Sequence, residues 1–283
     1  METNIHNAAE AVKLMNMYLH DIGFVTNGLL DEKMLWKNTF IKHQIDKRNR
    51  NEHFTISDHI RGMVYSMLSS GIAWSNLKNG IDIETGEIVT IDEIFHGYDH
   101  EYILCQSPTA LKNKIQELKY ASPYTQRQME ALININIPKL IEIQHKYGNI
   151  DSYYQTFIEK DPTVQLLIKT LSNSKSKDKM VQLGVALTAE YLRNVGYDIA
   201  KPDRHTRRVV GADILTCSSN KIAGTSETMD IISQIAKELK IGVAETDYIM
   251  WAYCAKGYGE ICTAKKPNCN KCVTKKYCKT VKE

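Results

Sequence analysis

No run of about 18 consecutive apolar residues occurs in the chain, so no segment is expected to cross a bilayer as a helix. The opening Met1-Glu2-Thr3-Asn4-Ile5-His6 lacks the basic start and apolar core of a secretory signal. Alternating apolar–polar runs are short and few, which argues against a sheet-based fold. Proline is scarce, with six residues in 283, and the long 3.6-periodic segments between breakers read as helices. A disulfide framework is also a poor fit. There are seven cysteines, an odd number, and four of them cluster, which points to a reducing compartment. What is present is ordinary for a globular protein, with 43% apolar and 24% charged residues. The length is enough for one or two domains.

Helices are expected over 8–20, from the Ser57 N-cap to Leu68, and over 108–120, 124–147, 151–159 and 161–172. Pro138 should kink or split the fourth of these. The basic stretch 28–50 holds Lys42, Lys47, Arg48 and Arg50, which fit phosphate contact or a solvated face. Residues 80–105 read as loop and short elements, with a small hairpin around Thr85-Gly86. Later helices are expected from Thr225 or Ser226 to Leu239 and from Thr246 towards Gly257. Trp74 is a candidate for base stacking or for the core. Cys105, Cys217 and Cys254 read as small buried hydrophobes.

The most informative stretch is the last quarter. Cys262, Cys269, Cys272 and Cys278 have the spacing C-x6-C-x2-C-x5-C. Four thiolates this close repel one another unless a cation holds them. Soft sulfur ligands select zinc or an iron–sulfur cluster, and structural zinc usually uses paired short C-x2-4-C arms. One C-x2-C pair flanked by single cysteines favours one [4Fe–4S] cluster, with zinc or disulfides as the alternatives. Charge collects in the same region. Residues 250–283 hold eight lysines against Glu260 and Glu283, a net +6, so the rest of the chain carries −3 of the total +3. A concentrated basic patch on a near-neutral body suits a polyanion.

The stretch from Cys262 to Cys278 resembles the cluster loop of endonuclease III and the MutY adenine glycosylases, of the helix-hairpin-helix DNA glycosylase superfamily. Two further segments extend the resemblance. Residues 178–192 resemble the hairpin with pattern Pro-Gly-Val-Gly-x-x-Thr-Ala, read here as two helices around a tight turn at Gly184. The second glycine is Ala186, the proline is missing, and Thr188-Ala189 comes one residue early. Lys201-Pro202-Asp203-Arg204-His205-Thr206-Arg207-Arg208-Val209 is similar to the family's Val-Asp-Thr-His and Arg-Val segment, matching at Asp203, His205, Arg208 and Val209. Pro202 followed by Asp203 also marks a helix start with Asp203 as N-cap.

The resemblance implies an all-α, two-lobed helix-hairpin-helix glycosylase architecture with a DNA cleft and a C-terminal [4Fe–4S] loop. Residues 1–56 would pack with a catalytic and cluster lobe, 201–283, and 57–200 would form a helical barrel. It implies Asp203 as the catalytic carboxylate and the four loop cysteines as cluster ligands. Gly184, Ala186, Thr188, Arg207, Lys265, Lys266 and Lys271 would contact DNA. In the family a wedge residue inserts near the position of Ser70 or Gly71. The bifunctional members' Schiff-base lysine falls on Leu187 or Thr188, neither an amine, and Lys179 lies upstream. The expected activity is therefore hydrolytic removal of an abnormal base from double-stranded DNA by a monomer. His205 is expected to brace structure or a phosphate rather than to donate a proton. The expected location is the cytoplasmic nucleoid in a bacterium or the nucleus in a eukaryote. A non-catalytic DNA-binding cluster protein, or a lyase using another lysine, is the alternative.

Overall fold

The computed structural model describes residues 2–22, 25, 26, 29, 30, 32, 35–72 and 76–280. Trp74 lies outside them. In chain order the helices are α1 (Glu2–Asp21), α2 (Phe40–Asn49), α3 (Ile56–Leu68), α4 (Val89–Ile94), α5 (His100–Leu104), α6 (Pro108–Glu117) and α7 (Thr125–Ala131). They continue with α8 (Ile137–Tyr147), α9 (Ile150–Ile158), α10 (Gln165–Ser172), α11 (Val185–Arg193), α12 (Arg204–Val209), α13 (Thr225–Leu239) and α14 (Val243–Cys254). Val25–Thr26 (β1) and Leu29–Leu30 (β2) form one short antiparallel pair. The small hairpin expected near Thr85-Gly86 is a single bridge, Ile81 to Ile88. The chain is thus predominantly helical. Among the described residues no helix is long and apolar enough to cross a membrane.

Two compact units divide the chain: Met1–Thr39 with Asp198–Glu283, and Phe40–Tyr197. The break falls at 39/40 because α2 packs with the helices that follow it. Arg48 of α2 donates to the Val195 carbonyl and to Asp151 and lies over the rings of Phe54 and Tyr197. Lys47 pairs with Asp58, Arg50 with Glu52 and Lys42 with Asp46. The basic stretch is therefore tied to carboxylates and carbonyls of its own unit.

In the 40–197 unit, α3 packs against α11. Gly62 permits the approach: a Cβ there would stand 3.1 Å from Val195 Cγ1 and 3.2 Å from Asn194 Cβ. Asn194 Nδ2 donates to the Gly62 carbonyl at 3.0 Å, and Ser66 Oγ to the Leu187 carbonyl at 2.6 Å. The cap of α3 is Thr55 rather than Ser57. Thr55 and Asp58 form a reciprocal capping box, which satisfies two end N–H groups where a cap at Ser57 would satisfy one. Pro138 neither breaks nor sharply splits its helix. Lacking an N–H, it cannot bond the carbonyl four residues back, and the chain widens into a π turn over Leu132–Asn136 before α8. The segment between α3 and α5 is anchored through Asp92, which accepts from Tyr65 Oη at 2.8 Å and Tyr98 Oη at 2.5 Å.

In the other unit, α1 packs on α13 and α14. Ala8, Ala11, Val12, Met15 and Leu19 are its buried stripe, and Tyr18 meets Tyr253 edge-on. The α14 helix begins at Val243 instead of Thr246. Asp198 explains this, because its carboxylate accepts from the Val243 and Ala244 N–H groups at 3.2 and 2.7 Å. A cap 45 residues away in sequence leaves no local signal.

His59 lies at the centre of the 40–197 unit and is fully buried. Its Nδ1 is 2.7 Å from Tyr191 Oη, which is 2.9 Å from Tyr154 Oη. Burial pushes the imidazole down from 6.5 to about 4. Asp151 opposes this most and Asp58 less, while Arg48 and Lys47 add to it. A proton therefore binds the unfolded chain first. This contribution to stability is complete above about pH 6.5 and is lost as pH falls towards 4. Between pH 7 and pH 5 the expected loss from His59 is on the order of 2 kcal/mol. Urea unfolding at both pH values should show a much smaller difference in His59→Gln than in the unsubstituted protein. Equal differences would remove His59 as the source.

Candidate active site and cysteine loop

The short helix α12 starts at Asp203, as its Pro-Asp sequence predicts. Asp203 Oδ1 accepts from the N–H groups of His205 at 2.7 Å and Thr206 at 3.1 Å. Among the described residues Oδ2 accepts no hydrogen bond, and the side chain is half-buried. One oxygen thus fixes the carboxylate as a cap while the other stays open to chemistry.

His205 sits two residues on, with Nδ1 buried and without a hydrogen-bond partner among the described residues. Burial pushes its imidazole below the ordinary value. Asp203 pulls upward, while Arg208, Arg204 and Lys201 push the same way as burial. A neutral ring there is a poor proton donor near neutral pH.

The arginines of α12 have separate tasks. Arg204 is exposed. Arg207 is half-buried and donates from Nε to the Ala223 carbonyl at 2.7 Å, while Ala223 N–H bonds back to the Arg207 carbonyl at 3.1 Å. This bracing occupies one face of the guanidinium assigned above to DNA. Arg208 reaches the cysteine loop, donating to Cys262 Sγ at 3.4 Å and to the Cys262 carbonyl. The same six-residue helix therefore carries Asp203 at its start and holds the loop near its end.

The four loop cysteines line one cavity of ≈ 210 Å³, together with Arg208, Asp213 and Thr274. Among the described residues no three His, Cys, Asp or Glu side chains form a group placed to hold a metal ion. The surroundings of the four sulfurs suit thiolates. Cys262 is pushed down by the neighbouring Cys254 thiol and by Arg208, against burial. Tyr253 Oη donates to Cys272 Sγ at 3.5 Å, and Thr274 Oγ1 lies 3.3 Å from the same sulfur. Donor chemistry and cavity together fit a soft polynuclear metal group. Lys265, Lys266 and Lys271 project from this loop and are exposed. Of the other cysteines only Cys254 is fully buried. Cys105 is exposed and Cys217 intermediate, so the small-hydrophobe reading fails for Cys105.

The segment resembling the hairpin belongs to the 40–197 unit, and its geometry differs from the sequence expectation. Residues 178–183 are not helical. The helices are α10 and α11, and 173–184 is a loop between them. Gly184 is the N-cap of α11, with an ordinary extended φ of −80° and no side-chain cap bond. A Cβ there would meet nothing within 4 Å, so no part of the protein demands glycine at this exposed position. Ala186 is half-buried in the first turn. Thr188 is fully buried and its N–H bonds to the Gly184 carbonyl at 2.8 Å. It supports the turn from within and presents no surface for DNA.

Sequence reasoning missed what shapes this loop. Asn136, fully buried in the π turn, donates to the Val181 carbonyl at 3.0 Å and accepts the Val181 N–H at 2.8 Å. Lys139 donates to the Lys177 and Lys179 carbonyls at 2.7 and 2.9 Å. Lys179 is in the loop rather than a helix, and its amine donates to the Ser172 and Leu183 carbonyls at 2.7 and 3.3 Å. Burial and then Lys139 push that amine below its ordinary value. The one available signal was a polar Asn136 among apolar helical positions.

No protein family matches the chain, and no curated protein matches it. Among solved structures it is similar to Methanocaldococcus jannaschii 8-oxoguanine glycosylase/lyase in complex with a 15mer DNA containing 8-oxoguanine. That match has 17% identity and a TM-score of 0.47, over 75% of this chain and 86% of that one.

Removing the Asn136 amide strands the two backbone groups of Val181. Asn136→Ala should destabilise the 40–197 unit by about 2 kcal/mol and speed amide exchange selectively at 176–184. Uniform exchange across the unit, with no local excess in the loop, would show that Asn136 does not hold it.

Proposed function

We infer that the chain is a monofunctional DNA glycosylase acting on duplex DNA bearing an abnormal base. The observation that carries this reading is α12. It fixes the Asp203 carboxylate by two backbone bonds and is itself joined through Arg208 to the loop of four cysteines. Cys262, Cys269, Cys272 and Cys278 would hold a [4Fe–4S] cluster. Such a cluster, when bound, supplies a rigid cross-link for a loop that is otherwise short of apolar core. The loop then presents Lys265, Lys266 and Lys271 to phosphate at fixed positions. The uncapped first turn of α11, with open space over Gly184, suits a second backbone–phosphate contact that carries no sequence information.

Chemistry inside a base stack requires the target nucleotide to be turned out of the duplex. Breaking its N-glycosidic bond builds positive charge on the sugar. The open oxygen of Asp203 lowers that barrier electrostatically and orients or deprotonates the attacking water. His205, on the same helix and half-buried, has its charged form disfavoured by burial and takes no proton step.

Hydrolysis by water, not attack by an amine, follows from the residues on α11, where Leu187 and Thr188 stand in the lysine's place. Lys179, in the loop before α11, is committed to two backbone carbonyls. Borohydride trapping of a covalent adduct lost in Lys179→Ala would reverse this part of the reading.

Two measurements test the proposal. Protein purified without oxygen should be brown and carry roughly four irons per chain. A colourless protein with one zinc would overturn the cluster. In a screen of duplexes each carrying one modified base, Asp203→Asn should bind the substrate at least as well as the unsubstituted enzyme. Its single-turnover base release should fall by on the order of 10²–10³. Asparagine caps helices about as well as aspartate, so near-normal release by a folded variant would reduce Asp203 to a cap.

A further inference from the structure

We propose that Tyr253, at the end of α14, is a positioning residue for the cluster, donating a hydrogen bond to the ligand sulfur of Cys272. This rests on the reading that the four loop cysteines hold a [4Fe–4S] group. No motif points to this residue. Tyr253 is fully buried, and in isolation it is an ordinary core side chain. Its significance comes from where its polar hydrogen ends.

The Tyr253 hydroxyl accepts the Val273 N–H at 3.1 Å. Its own proton is therefore free to donate, and the acceptor within reach is Cys272 Sγ at 3.5 Å. A cysteine that ligates metal does so as thiolate and has no proton to give, so the hydrogen in this contact belongs to Tyr253. The backbone fixes the same placement. The Tyr253 carbonyl accepts the N–H groups of Ile261 at 3.0 Å and Cys262 at 3.4 Å, which binds the start of the loop to the end of the helix. One helix terminus thereby reaches the first and third cysteines, while Arg208 of α12 approaches Cys262 separately.

Hydrogen bonds to ligand sulfur stabilise the more electron-rich state of such a cluster and so raise its reduction potential. Tyr253→Phe, which removes the donor and keeps the ring, should therefore lower the midpoint potential.

The experiment uses the full-length, cluster-loaded protein purified anaerobically. The midpoint potential is measured by voltammetry, with iron per chain and thermal melting alongside. A fall in potential in Tyr253→Phe, at full iron content and near-unchanged melting, supports the assignment. A purely structural role would change melting and leave the potential alone. Full iron with an unchanged potential in Tyr253→Phe overturns this proposal and spares the cluster. A protein without iron overturns both.

Discussion

Four sulfurs facing one cavity set the constraint around which the unit of residues 1–39 and 198–283 is arranged. Thiols gathered at that density need cations or donors beside them, and the surrounding elements supply donors from two sides. Arg208 comes from the end of α12, and Tyr253 from the end of α14. The Asp213 carbonyl takes the Lys279 N–H at 3.0 Å and closes the last turn of the loop. Behind these, α1 packs on α14 through Tyr18 and Tyr253. The first helix of the chain thus supports a loop made by its last residues. Asp203 inherits its position from the same arrangement, since α12 is held at one end by its own cap and at the other by the loop.

The 40–197 unit solves a different problem. Its core buries His59, Tyr65, Tyr98, Tyr154, Tyr191 and Asn136, and each of these side chains makes a hydrogen bond within the unit. Close approach of α3 and α11 at Gly62 leaves no room for a side chain there; Asn194 and Ser66 bond backbone carbonyls along the seam, and His59 meets the Tyr191 hydroxyl across it. The loop before α11 is held by three side chains from outside it or within it, Asn136, Lys139 and Lys179. It therefore has a defined shape without helical structure of its own. The π turn that carries Asn136 exists because Pro138 cannot complete the α-helical ladder. A local defect thus places a buried amide where the loop needs it.

Much of the helical pattern was legible, because burial of one face imposes a 3.6-residue period that survives in the sequence. The start of α12 was equally plain, since a Pro-Asp pair dictates a cap through local geometry alone. Elements whose cause lies far away in sequence were misread. The α14 helix starts three residues early because Asp198 caps it. Residues 178–183 follow a helical pattern but are pulled into a loop by hydrogen bonds from Asn136 and Lys139. Thr188 reads as a surface contact from its motif, yet packing of α11 buries it. Arg207 reads as free cation and is bonded to the Ala223 carbonyl.

By itself the sequence determined the helical character, the cap at Asp203 and the grouping of four cysteines within one short loop, because each depends on residues near one another in the chain. Tertiary structure decided which side chains stand behind those cysteines, which of the lysines and arginines are committed to carbonyls, and which face of α11 is open. Several of those outcomes depend on residues far apart in the chain, such as Lys139 and Lys179, 40 apart, or Arg208 and Cys262, 54 apart. Hydrogen bonds at that separation form only after the helices have packed, so no local pattern encodes them.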